Sequence, residues 1–423
     1  MLSFKIIKKK ILLSWLWVIL CSIAIYALIP LGNRIQKFIS DYLGKKFFIY
    51  FILAVLGFVF IGLIYSLIYR LRIRSLPNYI WLLVLAGFYI HLTLKLRNSP
   101  VEVTHFLEYG VLSILLFRAL NHHIKDKTIY FNAALIILLI GTLDEIIQWI
   151  VPGRVWNFKD VKLNVISGGL IQLAIWQVIG PRSISEKINP KSLKIFSYVF
   201  SSCLIILGLC VSNTPNRVYH YTQKIPWLSF LQKEEPMSEF GYKHKDLEIG
   251  AFYSRLSLKS LQKRDNLKGE HYAQILNESV NKNYEQFLRE YSPITDPFMH
   301  ELRVHIFRRD TYFEKGKSTL NLNDKKESYF ITYKENLILE KYFKNSIEKS
   351  VYRWDEDTLR ESKELIDKSK HYESPVSANL FTSFSEKTVW TVIFSVIFLL
   401  VIVNLIFPYI KKMRRLSLPL DSQ

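Results

Sequence analysis

Cysteine is scarce in this chain, and none is placed to crosslink a soluble domain. The three present, Cys21, Cys203 and Cys210, all sit inside apolar segments, and the long polar stretch 213–387 has none. No disulfide framework holds that stretch together, so outside the cytoplasm it must be stabilised by its own core. Acidic residues are also short: 36 Asp and Glu stand against 56 Lys and Arg, for a net charge of +20. Such a balance suggests nucleic acid at first sight, but no nucleic-acid-binding module is recognisable. Much of the positive charge stands in short clusters flanking apolar runs, where Lys and Arg set membrane topology. Convincing internal repeats and low-complexity tracts are missing too. The lack of a repeat weighs against a proton-coupled transporter.

What the chain does have is long apolar runs. A span needs about 20 mostly apolar residues. The candidates are roughly 11–31, 47–69, 79–97, 103–120, 130–150, 163–180, 193–212 and 388–410. The first follows Lys8, Lys9 and Lys10 and could be read as a signal peptide. It is too long for an ordinary signal core and shows no small-residue cleavage site, so a retained signal anchor is expected.

The positive-inside rule sets the orientation. With a cytoplasmic N-terminus, the inside loops hold Lys5, Lys8, Lys9, Lys10, Arg70, Arg72, Arg74, Arg118, Lys125, Lys127, Arg182, Lys187, Lys191, Lys194, Lys411, Lys412, Arg414 and Arg415. The short outside loops hold half as many: Arg34, Lys37, Lys45, Lys46, Lys95, Arg97, Arg154, Lys159 and Lys162. The bias favours N-in and C-in with eight spans, in a bacterial inner membrane. The stretch 213–387 then faces outward, where its length exempts it from the rule.

That stretch reads as a folded domain. Residues 268–290 have helical character, and Pro293 and Pro297 then break the chain. From Glu301 to Phe313, Leu302, Val304, Ile306 and Phe307 interleave with Arg303, Arg308 and Arg309, which predicts a strand of imperfect alternation. Ser328–Tyr333 is a second strand candidate, whereas Glu335–Ile347 and Asp355–Ser369 read as helices. Arg308, Arg309 and Asp310 fit a charged strand face better than a catalytic set. The predicted fold is an all-α polytopic membrane helical bundle of about eight spans with an α+β extracytoplasmic domain. Its expected parts are two N-terminal spans (1–78), a transmembrane core (79–180), an additional span (181–212), the outer domain (213–387), and a last span with a basic cytoplasmic tail (388–423).

Ionisable groups at span depth are costly and usually face a bundle interior or a wet cavity. Three neighbouring spans carry them. V-E-V-T-H-F-L-E-Y-G places Glu102, His105, Glu108 and Tyr109 at spacings of three and four, on one helix face. G-T-L-D-E-I-I-Q-W-I places Asp144, Glu145 and Gln148 on one side, and D-V-K-L-N-V-I-S-G-G puts Asp160, Asn164 and Ser167 on one stripe. Gly168 and Gly169 follow and allow close helix approach. V-P-G-R supplies a turn and Arg154 between the last two blocks. In the orientation above, all three stripes meet near the outer surface. Carboxylates so gathered raise one another's pKa values, and Arg154 or a protonated His105 could offset this.

The blocks H-F-L-E-Y-G-V-L-S, L-D-E-I-I-Q-W-I-V-P-G-R and D-V-K-L-N-V-I-S-G-G resemble those of the VanZ-like family, in the same order and at similar separations. Each block alone is weak, but three on consecutive spans are fairly specific. The resemblance covers roughly residues 79–180. It implies a membrane protein of the cell envelope associated with glycopeptide (teicoplanin) resistance, with no settled biochemical activity. The residues that match are Glu102, His105, Tyr109, Asp144, Glu145, Gln148, Pro152, Arg154, Asp160 and Asn164. Two spans before this core, and the outer domain with its closing span, depart from a minimal family member.

Two readings of the cluster compete. The polar side chains could simply hydrogen-bond three helices together, each pair worth about 1 kcal/mol or less. They could instead form a site for a membrane lipid or a lipid-linked envelope precursor, since so many acids exceed what packing needs. A membrane enzyme using a carboxylate or His105 as general acid/base on a lipid-linked substrate is the alternative. Glu102, His105 and Glu108 also form E-x-x-H-x-x-E, but di-metal bundles need two Glu-x-x-His motifs and only one is present. No metal or cofactor is therefore expected. The outer domain could contact an envelope protein. His91 reads as a capping or packing residue, His122 and His123 as solvated, and Trp149, Trp156 and Trp227 as an interfacial belt.

Overall fold

The computed structural model describes the backbone of residues 2–44, 47–96, 100–363 and 371–416. The chain divides into two compact units, one formed by Met1–Gly208 with Thr391–Gln423 and the other by Leu209–Trp390.

The first unit is built of helices joined by loops, with one isolated bridge between Asp126 and Ser185 among its described residues. Its helices are α1 (Leu2–Leu28), α2 (Gly32–Leu43), α3 (Phe47–Tyr65), α4 (Leu76–Lys95), α5 (Pro100–Leu120), α6 (Thr128–Ile150), α7 (Phe158–Ala174) and most of α8 (Pro190–Val211). Short π-helical turns extend α3 through Ser66–Arg70 and α7 through Ile175–Ile179. Gly180, left-handed at φ 54°, ends the second. Together with the last helix, eight described helices are long and apolar enough to cross a membrane: Ile6–Leu28, Ile49–Arg70, Leu76–Lys95, Val103–Leu120, Thr128–Ile150, Phe158–Ile179, Pro190–Val211 and Glu386–Tyr409.

α2 is a short amphipathic helix between the first two spans, with Phe38, Tyr42 and Leu43 exposed. The centre of the unit is the packing of α5, α6 and α7 on one another, with α1 against α5. Val18 and Ile25 of α1 join Tyr109, Leu112, Leu116, Ile129 and Ile137 in one apolar core. α5 and α6 are the most enclosed spans, which is why they can carry polar side chains that a lipid-facing helix could not.

The second unit is mostly helical, with one two-stranded sheet. Its elements are α9 (Pro215–Lys224), β1 (Tyr242–Asp246), β2 (Gly250–Ser254), α10 (Leu258–Glu278), α11 (Tyr284–Glu290), α12 (Pro297–Ser318), α13 (Leu322–Tyr342), α14 (Lys344–Glu348), α15 (Glu356–Lys363) and the start of α16 (Glu386–Leu416). β1 and β2 are antiparallel, with His244 opposite Phe252. At the head of β2, Gly250 has φ 105°, and a Cβ there would sit 2.2 Å from the Tyr372 carbonyl oxygen, so only glycine fits.

Both strands predicted in this region are helical. Glu301–Phe313 lies inside α12. Asp296 caps that helix by accepting from the Phe298 and Met299 amides, and Pro297 occupies its first turn. The buried side chains Phe298, Leu302, His305, Ile306, Arg309 and Phe313 recur every three or four residues, so the interleaving had a helical period. Ser328–Tyr333 lies inside α13, which is buried on nearly every side, so no single-face pattern marks it. The α+β description therefore reduces to a helical unit with a small β-ribbon. The 268–290 helix is two, α10 and α11, separated at 279–283. Of the 355–369 helix, α15 covers Glu356–Lys363, and residues 364–369 lie outside the described residues.

Candidate polar site at one end of the bundle

The start of α5, the end of α6 and the start of α7 bring the candidate residues together. Tyr109 donates its hydroxyl to Asp144 Oδ2 at 3.0 Å, joining α5 to α6. One turn earlier, the His105 ring stands 6.0 Å from that of Tyr109. His105 Nδ1 lies 3.8 Å from Glu108 Oε2, too far for a hydrogen bond. At the end of α6, Gln148 donates to Glu145 Oε1 at 2.7 Å and accepts from Arg154 Nη2 at 2.7 Å. The Asn157 amide donates to Glu145 Oε2 at 3.2 Å, and the Asn157 side chain caps α7 through the Lys159 amide. Glu145 is thus the knot between the end of α6 and the start of α7. Asp144, Asp160 and Arg154 all lie within electrostatic reach of it.

Nine of the ten candidate side chains meet in this region. The tenth, Glu102, is in the first turn of α5, and its side chain lies outside the described residues. Among the described residues, no group of three His, Cys, Asp or Glu side chains could hold a metal ion.

Several buried atoms in the cluster have no hydrogen-bond partner: both polar atoms of Asn164, Asp144 Oδ1 and His105 Nδ1. Asn164 is 0%, Asp144 1% and His105 8% exposed. Leaving such a group unpaired costs about 1–3 kcal/mol each. Asn164 faces Gly141 of α6, where an added Cβ would come within 3.0 Å of the asparagine Cβ. Gly141 is one turn before Asp144 and Glu145, so Asn164 packs against α6 about one helical turn from the carboxylates.

Deeper in the bundle Ser113, Ser167 and Tyr89 are hydrogen-bonded and act as helix ties, while Gln172 Oε1 has no partner. Ser113 donates to the Gly168 carbonyl at 2.7 Å and accepts from Gln172 Nε2 at 2.8 Å. Ser167 donates to the Phe106 carbonyl at 3.0 Å, with the Tyr89 hydroxyl 3.0 Å from its oxygen. Gly168 packs against Ile137, where a Cβ would lie 2.3 Å from Ile137 Cδ1. Reading the motifs alone missed Tyr89, Ser113 and Gln172. The spacing of Ser113 from Tyr109, one turn along the same stripe, was the available signal. His91, read as a capping or packing residue, is exposed, and of the predicted tryptophan belt Trp149 is buried while Trp227 is exposed.

In the second unit, the charged residues of α12 are interior groups of a helix, not a strand face. Arg309 is 1% exposed and bonds Asp310, Asn336 and the Tyr352 carbonyl, with its guanidinium 4.2 Å from the Trp354 ring centre. Glu335 of α13 is fully buried and accepts from His305, Arg308, Tyr372 and Ser374. Burial alone would push its carboxyl up, but His305, Tyr372 and Ser374 hold it below the usual carboxylate range. A cleft of about 410 Å³ is lined by Glu239, Phe240, Arg255, Pro293 and Pro297, among others. Its Arg255 is fully committed to Glu239, Glu301 and Ser377. These are closed structural networks.

Fold and cluster define a multi-pass helical protein with a buried polar cluster built from three consecutive spans. Residues 11–180 match the VanZ/LLP1 family model. The match begins before residue 79, so it takes in the first two spans as well as the three that carry the motif blocks. No curated protein and no solved structure matches the chain.

Proposed function

We propose that the protein binds the polar headgroup of a membrane lipid or lipid-linked envelope precursor at the cluster around Asp144, Glu145 and Asn164. In this reading the N- and C-termini are cytoplasmic, the membrane is the bacterial inner membrane, and the site opens toward the outer leaflet. The unit 209–390 then stands outside, where it contacts an envelope partner. Occupancy of the site modulates glycopeptide susceptibility. The observation that supports this is the set of unpartnered buried atoms on Asn164, Asp144 and His105. One layer deeper Ser113, Ser167 and Tyr89 are paired and Gln172 Oε1 is bare, so the unpaired atoms concentrate in the cluster. The test is glycopeptide susceptibility in cells expressing Glu145→Gln, Asp160→Asn and His105→Ala at wild-type levels. The reading expects each to lose the effect of the wild-type protein while remaining folded. Three variants with wild-type effect would overturn it.

A further inference from the structure

The atoms left without partners in the cluster are unequal in kind. Three can accept a hydrogen bond: Asp144 Oδ1, Asn164 Oδ1 and, in the tautomer protonated at Nε2, His105 Nδ1. Asn164 Nδ2 adds a donor on the same side chain as one of the acceptors. The surrounding charge is also one-sided. Among the described residues, Glu108, Asp144, Glu145 and Asp160 stand on the three helices beside one guanidinium, Arg154, which donates to Gln148. Lys159 and Lys162, the other cations at the start of α7, are exposed.

A phosphate or carboxylate brings only acceptors and negative charge, so it would meet acceptors and carboxylates here. A quaternary ammonium has the right charge but no N–H to give. An uncharged hydroxyl offers one donor and no charge. A primary ammonium brings three donors and a positive charge, which suits three acceptors beside carboxylates.

Building on the headgroup reading, we infer that the site takes a primary ammonium group. Asp144, Asn164 and His105 receive its three N–H bonds, and Asp144 and Asp160 supply the countercharge. In a membrane the chemistry is that of an ethanolamine headgroup or another amine-bearing envelope component. A small soluble amine would present the same group.

The test uses the full-length protein in detergent, with binding followed by thermal midpoint and by tryptophan fluorescence. The probes are dioleoyl phosphatidylethanolamine, its choline and glycerol counterparts, and free ethanolamine. The expected result is binding of the ethanolamine lipid about tenfold tighter than either counterpart. Asp144→Asn and Asn164→Ala should lower that preference, with lipid-free circular dichroism confirming their fold. The wild-type selectivity is decisive even if a variant fails to fold. Equal binding of the choline lipid, or preference for the glycerol lipid, overturns the ammonium assignment and leaves the headgroup reading standing. Binding of free ethanolamine with no response to any lipid supports the ammonium chemistry and overturns the lipid source. No response to any probe overturns both.

Discussion

Tyr109 of α5 holds one oxygen of Asp144 on α6 at 3.0 Å and leaves the other oxygen buried with no partner. This half-satisfied carboxylate is where the structural and functional roles of the cluster meet. Tyr109→Phe removes the hydroxyl that ties Asp144 Oδ2 to α5. The cost is about 1–3 kcal/mol, the penalty of a stranded buried acceptor. Thermal unfolding in detergent should show a lower midpoint. Ser113→Ala, which removes two interhelical hydrogen bonds deeper in the bundle, should cost about 0.6 kcal/mol for each, the average for such bonds in a membrane.

Asn164→Leu should act in the opposite direction. The asparagine is fully enclosed with neither polar atom bonded. A leucine of similar shape removes that penalty, so the lipid-free protein should melt higher while the glycopeptide phenotype is lost. Differential scanning fluorimetry beside a susceptibility assay separates the two effects. A variant that melts lower would show that Asn164 is a structural tie.

The acid response of the unit 209–390 follows from groups that lie on none of the candidate spans. Burial, and then the charge of Arg255, lower His300 from its ordinary value of 6.5 to about 4. Between those values the unfolded chain binds a proton that the folded one does not. Stability is therefore lost as pH falls through that window. Asp246 is held at about 2: burial would raise it, but Lys341, Tyr342 and the Ile249 and Glu248 amides more than offset that. Its contribution is present above the unfolded value of 3.8 and disappears as pH falls toward 2. Hydrogen exchange in α10 and α12 should rise on acidification from about pH 6.5, and His300→Gln should flatten the first part of that rise.

Asp296→Ala tests why α12 is a helix. Its carboxylate accepts from two amides at 3.1 Å, and losing such a cap costs about 1 kcal/mol. Exchange should accelerate first at the N-terminal turn of α12. An unchanged turn would mean that Pro297 and the buried stripe suffice.

The membrane half was the legible part of the sequence. Long apolar runs report their own helices, and His105, Tyr109, Asp144, Glu145 and Asn164 are conspicuous because charge is rare at that depth. Their partnering was not legible. Which oxygen Tyr109 takes, and that Asn164 takes nothing, depends on helix rotation and the closeness allowed by Gly141. The 209–390 unit was harder because its core is charged. Arg309 and Glu335 are buried, so hydropathy mistook interior positions for surface. The Asp296–Pro297 pair carried a helix start that reading it as a chain break overlooked. β1 and β2 have no apolar run, and Leu247 between them is fully exposed.

The most direct measurement of the central claim is native mass spectrometry of the full-length protein extracted from its own membrane. The site reading predicts a retained lipid-class adduct on the wild-type protein that is lost from Asn164→Leu, although that variant is folded. An adduct of equal occupancy on both proteins, or none on the wild type, would contradict it.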